Sequence, residues 1–343
     1  MGLRGYIIKR IIYTVFLVIF VLCLNFIIFE VLPHSPAQFF IGAGPAASHS
    51  FTPEKAAMLR HMWGLDQPWP VRFMHYMTNM LTFQFGLNSP NVGGTCLDLI
   101  LTYLPNTLIL MGISTVLSII IGVVLGVIAA YKRGGLFDNV AVMGSLLTYA
   151  LPTFWIGLIL IAIFSIYNHI LPSGGIVSDG MPPPITYFFL GTHISIPTIT
   201  EIVNRLSHLF MPCAVLTIVS FGGFTLLTRA TMMEALTEDY ILTAKAKGLK
   251  ERTIIFKHAL KNASLPIITS AAMSFGFMIS GALITEQVFQ YYGIGWLTVN
   301  SIFQTLNMSV LQAIFYVIAL CVIAANFVSD LLYGVIDPRI KYG

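Results

Sequence analysis

Charge is scarce in this sequence. Only 9% of its 343 residues are Asp, Glu, Lys or Arg, against about a quarter in soluble domains. A water-facing surface for a body of this size cannot be built from that supply, and 57% hydrophobic and 13% aromatic residues point to lipid as the main solvent. The formal net charge of +4 is too small to mark a nucleic-acid surface. Cysteine is equally sparse: Cys23, Cys96, Cys213 and Cys321 form no CxxC pair, which excludes a disulfide framework or zinc site of the usual spacing. No GxxxxGK[ST], HExxH or GxSxG occurs, so the chain carries no phosphate loop, zincin helix or nucleophile elbow of its own. Its eight histidines include no pair at i, i+4, and neither a metal nor another cofactor is expected.

Long apolar runs are what the chain has. About 20 apolar residues span a hydrocarbon core of ~30 Å, and that ruler places helices near 11–32, 107–131, 139–167, 208–228, 265–286 and 309–335. The first follows Arg4, Lys9 and Arg10 as a signal peptide would. Its length exceeds that of a signal h-region and no A-x-A-like site follows, so it reads as a retained helix. The third stretch is too long for one straight span, and Pro152 within it removes a backbone donor and predicts a kink. In the second, Gly122 and Gly126 stand at GxxxG spacing, which permits close helix approach. Ionisable residues inside these spans are confined to Glu30, Glu286 and Asp330, all near helix ends, a pattern that speaks against a proton relay or voltage sensor. Glu286 reads either as a solute contact at the outer mouth of helix five or as an interfacial carboxylate reaching water. Asn25 and Asn326 read as hydrogen-bonding groups between helices or along a path.

The segments between the helices fix orientation. Positions 1–10, 132–138, 229–263 and 336–343 hold 14 of the 18 Lys and Arg, while the longer opposite segments hold Lys55, Arg60, Arg72 and Arg205. By the positive-inside rule both termini are cytoplasmic. On the outer side, Trp63, Leu65, Trp69, Phe73 and Tyr76 alternate with polar groups, as in short helices at a membrane surface. The expected organisation is an N-terminal helix with an outer extension over 1–100, a membrane domain over 101–335 and a cytoplasmic tail over 336–343.

The cytoplasmic segment 229–263 is too long for a turn, and its local signals describe two short helices. Thr237 is a candidate N-cap, Glu238 and Asp239 suit the first turn, and Lys245 and Lys247 suit the last. Gly248 fits the left-handed position after a helix end. A second helix from about Glu251 to Lys261 is expected to stop at Asn262, before Pro266. Tyr240, Ile241, Leu242 and Leu249 stay apolar outside the membrane, so they either lie in the lipid interface or fill a groove on a partner protein.

At this segment the sequence resembles a family. Asp239-Tyr240-Ile241-Leu242-Thr243-Ala244-Lys245-Ala246-Lys247-Gly248-Leu249, followed by His258-Ala259-Leu260-Lys261-Asn262-Ala263 and Leu265-Pro266, is similar to the EAA loop of ABC importer permeases, in the form of the peptide/nickel group and its B-type subunit. Leu104-Pro105-Asn106-Thr107, Leu151-Pro152-Thr153-Phe154-Trp155, Glu286 with Val288-Phe289, and Asp337-Pro338-Arg339 extend the resemblance over nearly the whole chain. Leu242 stands where the general motif has glutamate, His34-Ser35-Pro36 replaces an expected Gly-Asp-Pro, and Tyr292 replaces a common proline. The resemblance implies an all-α membrane protein of six transmembrane helices, the type I ABC importer permease fold, with cytoplasmic coupling helices and an outer loop extension. It implies a non-catalytic transport subunit in the cell membrane of a bacterium or archaeon, importing peptides with a second homologous permease, two cytosolic ATP-binding-cassette ATPases and an external solute-binding protein. Nickel, glutathione and oligosaccharides travel through similar permeases, and a stand-alone secondary carrier is the alternative from another class. Asp239, Tyr240, Ile241, Ala244, Lys247, Gly248 and Leu249 would couple the chain to an ATPase, and Pro152 and Glu286 would lie on the translocation path.

Overall fold

A computed structural model describes residues 3–31, 66–86, 94–178, 180, 185–189, 192–196, 198–277, 282–303 and 307–336. In chain order these contain α1 (Leu3–Phe26, prolonged by a π-helical turn Ile27–Val31), α2 (Trp69–Leu81), α3 (Cys96–Tyr131), α4 (Leu136–Ala150) and α5 (Thr153–Leu160, prolonged by π-helical Ile161–Tyr167). Strands β1 (Ile185–Phe189) and β2 (Thr192–Ile196) follow, then α6 (Ile199–Leu236) and α7 (Asp239–Ala246). A turn Glu251–Thr253 and a π-helical stretch Ile254–Ala259 run into α8 (Leu260–Phe277), and α9 (Leu283–Val288), α10 (Ile294–Phe303) and α11 (Met308–Ile336) complete the order.

The strands pair antiparallel, Ile185 opposite Ile196 and Phe189 opposite Thr192, one hairpin among described residues whose other regular elements are helices. Four described helices are long and apolar enough to cross a membrane: Ile7–Val31, Cys96–Tyr131, Ile199–Leu236 and Met308–Val328. The bent pair Leu136–Ala150 and Thr153–Tyr167, with 98° between its arms, passes the same test of length and composition when its two arms are taken together. The bend falls where Pro152 was expected to kink the chain, and Pro152 there is the N-cap of α5. The span expected over 265–286 falls on α8 and α9, with 278–281 between them outside the described residues.

Three described helices carry a proline in their interior. α3 runs through Pro105, α6 through Pro212 and α8 through Pro266. The helix expected to stop at Asn262 therefore continues to Phe277. A proline inside a membrane helix frees one carbonyl, which neighbouring helices and local π adjustments can satisfy, and a π-helical stretch directly precedes α8. Two helix starts, those of α3 and α6, carry side-chain caps. Thr95 and Asp98 bond reciprocally, Asp98 N to Thr95 Oγ1 at 3.1 Å and Thr95 N to Asp98 Oδ2 at 2.9 Å, and Thr198 Oγ1 accepts from Glu201 N at 3.2 Å. Each satisfies an otherwise orphaned donor.

The chain divides into two compact units. In the first, which takes Met1–Thr107, Ile279–Leu283 and Gly293–Gly343, α1 packs on α11 and α2 through Leu22, Phe26, Tyr76, Met80, Ile314 and Tyr316. Asn25 Nδ2 donates to the Gln312 carbonyl at 3.1 Å, so Asn25 serves helix packing. Arg72 pairs with Glu30, which neutralises the carboxylate at the end of α1. Phe73 and Tyr76, expected to face a membrane surface, instead turn from α2 onto Phe26, while Trp69 stays exposed. Trp63 and Leu65, expected on the same amphipathic segment, lie outside the described residues.

In the second unit, Leu108–Met278 and Ile284–Tyr292, α6 is the central helix. Its 38 residues extend over about 57 Å, well beyond the hydrocarbon core. On one face it meets α3 in a parallel ladder of small residues. Ser114 Oγ reaches the Cys213 carbonyl at 3.5 Å and Ser118 Oγ the Thr217 carbonyl at 3.4 Å. A Cβ on Gly122 would lie 2.7 Å from Phe221 O, and one on Gly126 2.7 Å from Thr225 O. The GxxxG pair is thus the C-terminal half, along α3, of a four-rung close approach that admits no larger side chain. On another face α6 meets α4 antiparallel, where a Cβ on Gly222 would lie 2.6 Å from Ser145 O.

Candidate coupling and translocation site

α7 is an eight-residue helix hung from the end of α6. Glu238 occupies its N-cap position, whereas Thr237, the expected cap, instead closes α6 with its hydroxyl on Glu234 O at 2.7 Å. The far end is built as expected. Gly248 takes φ +71, its N–H bonds Lys245 O at 2.9 Å, and Leu249 N–H bonds Ala244 O at 3.3 Å. This pairing is the Schellman arrangement, which needs a left-handed residue at that position.

So short a helix is unstable alone, and its packing explains its order. Ile241 and Ala244 are buried with Val127 and Ala130 of α3, Met232 and Ala235 of α6, and Ile254, Ile255 and Ala259. Tyr240 packs beside them and donates from its hydroxyl to Ala235 O at 3.3 Å. Two of the four residues taken as candidates for lipid or a partner, Tyr240 and Ile241, therefore anchor α7 to its own chain, together with Ala244. The opposite side is open: Leu242 is 69% and Leu249 38% exposed, with Asp239, Lys247 and Gly248 exposed beside them. Next to this platform, Val127, Ile128, Tyr131, Glu251, Arg252, Ile255 and Phe256 line a recess of about 330 Å³, across which Tyr131 donates to Glu251 at 2.5 Å.

α5 leaves Pro152 and presents Gly157 to Val288 and Phe289, whose side chains lie 3.2 Å from where a Cβ would be. These follow Glu286 on α9. Glu286 is fully buried, so it is not the water-reaching interfacial carboxylate that position alone suggested; its backbone carbonyl accepts from Tyr291 N at 2.8 Å. Burial, and then the Glu286 charge, push the Tyr291 phenol up to about 12; it remains a neutral hydroxyl at physiological pH. The loop after α5 closes over this region, with Gly175 N bonding Phe289 O at 2.9 Å. His208 of α6 pins the same loop. Its Nδ1 faces the Gly174 carbonyl at 2.8 Å; a carbonyl only accepts, so Nδ1 carries the proton, and in the neutral ring Nε2 accepts from Ser178 Oγ at 3.0 Å. Asn204 Nδ2 in turn donates to Ser178 Oγ at 2.9 Å.

Two groups went unread in the sequence. Asp138 and Arg229 form a bidentate ion pair, 91 residues apart, and His208 holds the loop after α5. Neither has a local signal, since both depend on which helices meet. Among the described residues no cluster of three or more metal-binding side chains occurs.

The chain matches, over residues 122–342, the family described as binding-protein-dependent transport system inner membrane component, and over residues 3–117 the N-terminal family of the same systems. It is 33% identical over 340 residues to the oligopeptide transport system permease protein AppB of Bacillus subtilis, covering 99% of this chain and 100% of that one. It is 34% identical to the probable peptide ABC transporter permease protein y4tP of Sinorhizobium fredii, over 98% and 99% of the two chains. The dipeptide transport system permease protein DppB of Escherichia coli K12 is 31% identical, with 93% of each chain covered. Among solved structures, a chain of the MetNI methionine ABC transporter in an inward-facing conformation superposes with a TM-score of 0.52 at 14% identity, over 70% of this chain and 96% of that one, a likeness of fold.

Proposed function

We infer the role of this chain from its membership: it belongs to the family of binding-protein-dependent transport system inner membrane components. It is the permease subunit of an ATP-driven importer, and peptides are its cargo, as the names of its relatives suggest. It pairs with a second homologous permease, receives solute from an external solute-binding protein, and is driven by two cytosolic ATP-binding-cassette ATPases that carry out all the catalysis. It lies in the cell membrane of a bacterium or archaeon with six spans, its termini in the cytoplasm and its permease domain over 101–335. Pro152 and Glu286 border the path of the solute.

The observation that supports this reading most is the two-sided α7. One side is locked to the chain by Ile241 and Ala244; the other offers Asp239, Leu242, Lys247 and Leu249. A rigid helix so anchored can carry the motion of a closing partner into α3, α6 and α8 as a rigid-body displacement. The test is co-purification of the ATPases with variants of the open side. Leu242→Asp and Leu249→Asp should insert normally and lose most of the bound ATPase, and wild-type retention in both would remove α7 from the interface.

A further inference from the structure

We propose that Asp138 and Arg229 are positioning residues for transport, forming a clamp that makes α4 and α6 move as one body so that displacement of α7 reaches the bend at Pro152. The proposal rests on the reading of α7 as the coupling helix. Asp138 sits in the first turn of α4 and is 2% exposed. Arg229 grips it with two nitrogens, Nε to Oδ1 at 2.5 Å and Nη2 to Oδ2 at 2.9 Å, and the Gly134 N–H holds Oδ2 from the preceding turn at 2.9 Å. A bidentate fork fixes orientation as well as distance, so this contact resists rotation.

Its place on the two helices gives it a mechanical role. Seven residues along α4 lies Ser145, and seven residues back along α6 lies Gly222, where the backbones nearly touch. The pair therefore meets at two points on one antiparallel seam, about 10 Å apart. With two points α4 follows α6; with the Ser145–Gly222 point alone it can pivot. Arg229 also stands just before Met232 and Ala235, the residues on which Ile241 and Ala244 of α7 are packed. A push on α7 enters α6 there, crosses to α4 at the clamp, and is delivered to the far end of α4, where the chain turns through 98° at Pro152 into α5. α5 then bears on Val288 and Phe289 beside the buried Glu286.

The test uses the full complex in proteoliposomes with a tritiated alanine tripeptide as probe, measuring peptide accumulated per ATP hydrolysed. Spin labels at Val140 of α4 and Lys245 of α7, both exposed, add a distance readout in the apo and ATP–vanadate states that needs no cargo. In the wild-type complex the label distance should stay fixed between the two states. Asp138→Asn, which keeps shape and removes charge, should lower peptide per ATP at least tenfold and make the distance state-dependent. Arg229→Lys, which keeps charge and loses the fork, should fall between and carries the test if Asp138→Asn does not insert. A pair that merely held the helices together would lower yield and thermal stability with peptide per ATP unchanged. Wild-type coupling and a fixed distance in Asp138→Asn or, in its place, Arg229→Lys would overturn the clamp alone. A wild-type complex that hydrolyses no ATP would overturn the reading of α7 and the clamp with it.

Discussion

Truncating Ile241 and truncating Leu242 should do opposite things, although the two residues are adjacent and nearly equal in size. Ile241 is 1% exposed and lies in the cluster that holds α7. Ile241→Ala removes three carbons, about 2.4 kcal/mol of transfer energy at ~0.8 kcal/mol each, and a residual cavity brings the cost to about 3 kcal/mol. α7 spans eight residues, too few to stay helical undocked, so this shift of about a hundredfold falls largely on docking of the segment. Leu242 is 69% exposed, and its truncation should cost the isolated chain under about 0.5 kcal/mol. Against a partner, however, Leu242→Ala would forfeit roughly 1 to 2 kcal/mol of apolar burial. Amide hydrogen exchange over residues 239–249 in nanodiscs separates the two. Ile241→Ala should speed exchange of the amides of Lys247 and Leu249, bonded to Thr243 O and Ala244 O, by up to a hundredfold, and release the ATPases as a consequence. Leu242→Ala should leave exchange untouched and still weaken ATPase retention. Fast exchange in Leu242→Ala with wild-type exchange in Ile241→Ala would refute the assignment of faces.

Gly248→Val should cost about 1 to 3 kcal/mol of local stability through backbone strain, because φ is +71 while nothing lies within 4 Å of an added Cβ; hydrogen exchange at α7 should rise while the thermal melting of the membrane body stays put. Gly126→Val should do the reverse, since its Cβ would meet Thr228 Cβ at 2.6 Å and Thr225 O at 2.7 Å; overpacking of about 1 to 3 kcal/mol should appear as a lower melting temperature or lost expression, and an unchanged one would deny the α3–α6 ladder. Single cysteines at Ser173 and Ala246, both exposed, in a cysteine-free background should react with an impermeant thiol reagent from opposite sides of the membrane, and labelling of both from outside would overturn the topology.

Hydropathy located the long helices because a bilayer imposes one length rule on all of them, and Gly248 was legible because a left-handed turn has almost one residue that suits it. Proline misled at Pro266, where the helix expected to stop at Asn262 runs on inside α8; in a membrane protein neighbouring helices and local π adjustments satisfy the freed carbonyl. Around α7 the sequence showed a run of apolar residues but not which way each pointed. Tyr240, Ile241 and Leu242 are consecutive, and only the positions of α3 and α6 decide that Ile241 turns inward. Gly122 and Gly126 were visible as a motif, whereas Ser114 and Ser118 extend it only once Cys213 and Thr217 are known to face them. Asp138 and Arg229 were likewise unremarkable charges at opposite helix ends until the antiparallel seam paired them.

The most direct measurement of the central claim is solute accumulation in proteoliposomes with ATP sealed on the cytoplasmic side, using a tritiated alanine tripeptide and, in parallel, a labelled maltohexaose. The account predicts that this chain alone accumulates neither and hydrolyses no ATP, and that tripeptide uptake appears only when the second permease, both ATPases and the binding protein are present together with ATP. Accumulation by the chain alone, driven by an ion gradient and indifferent to ATP, would contradict it.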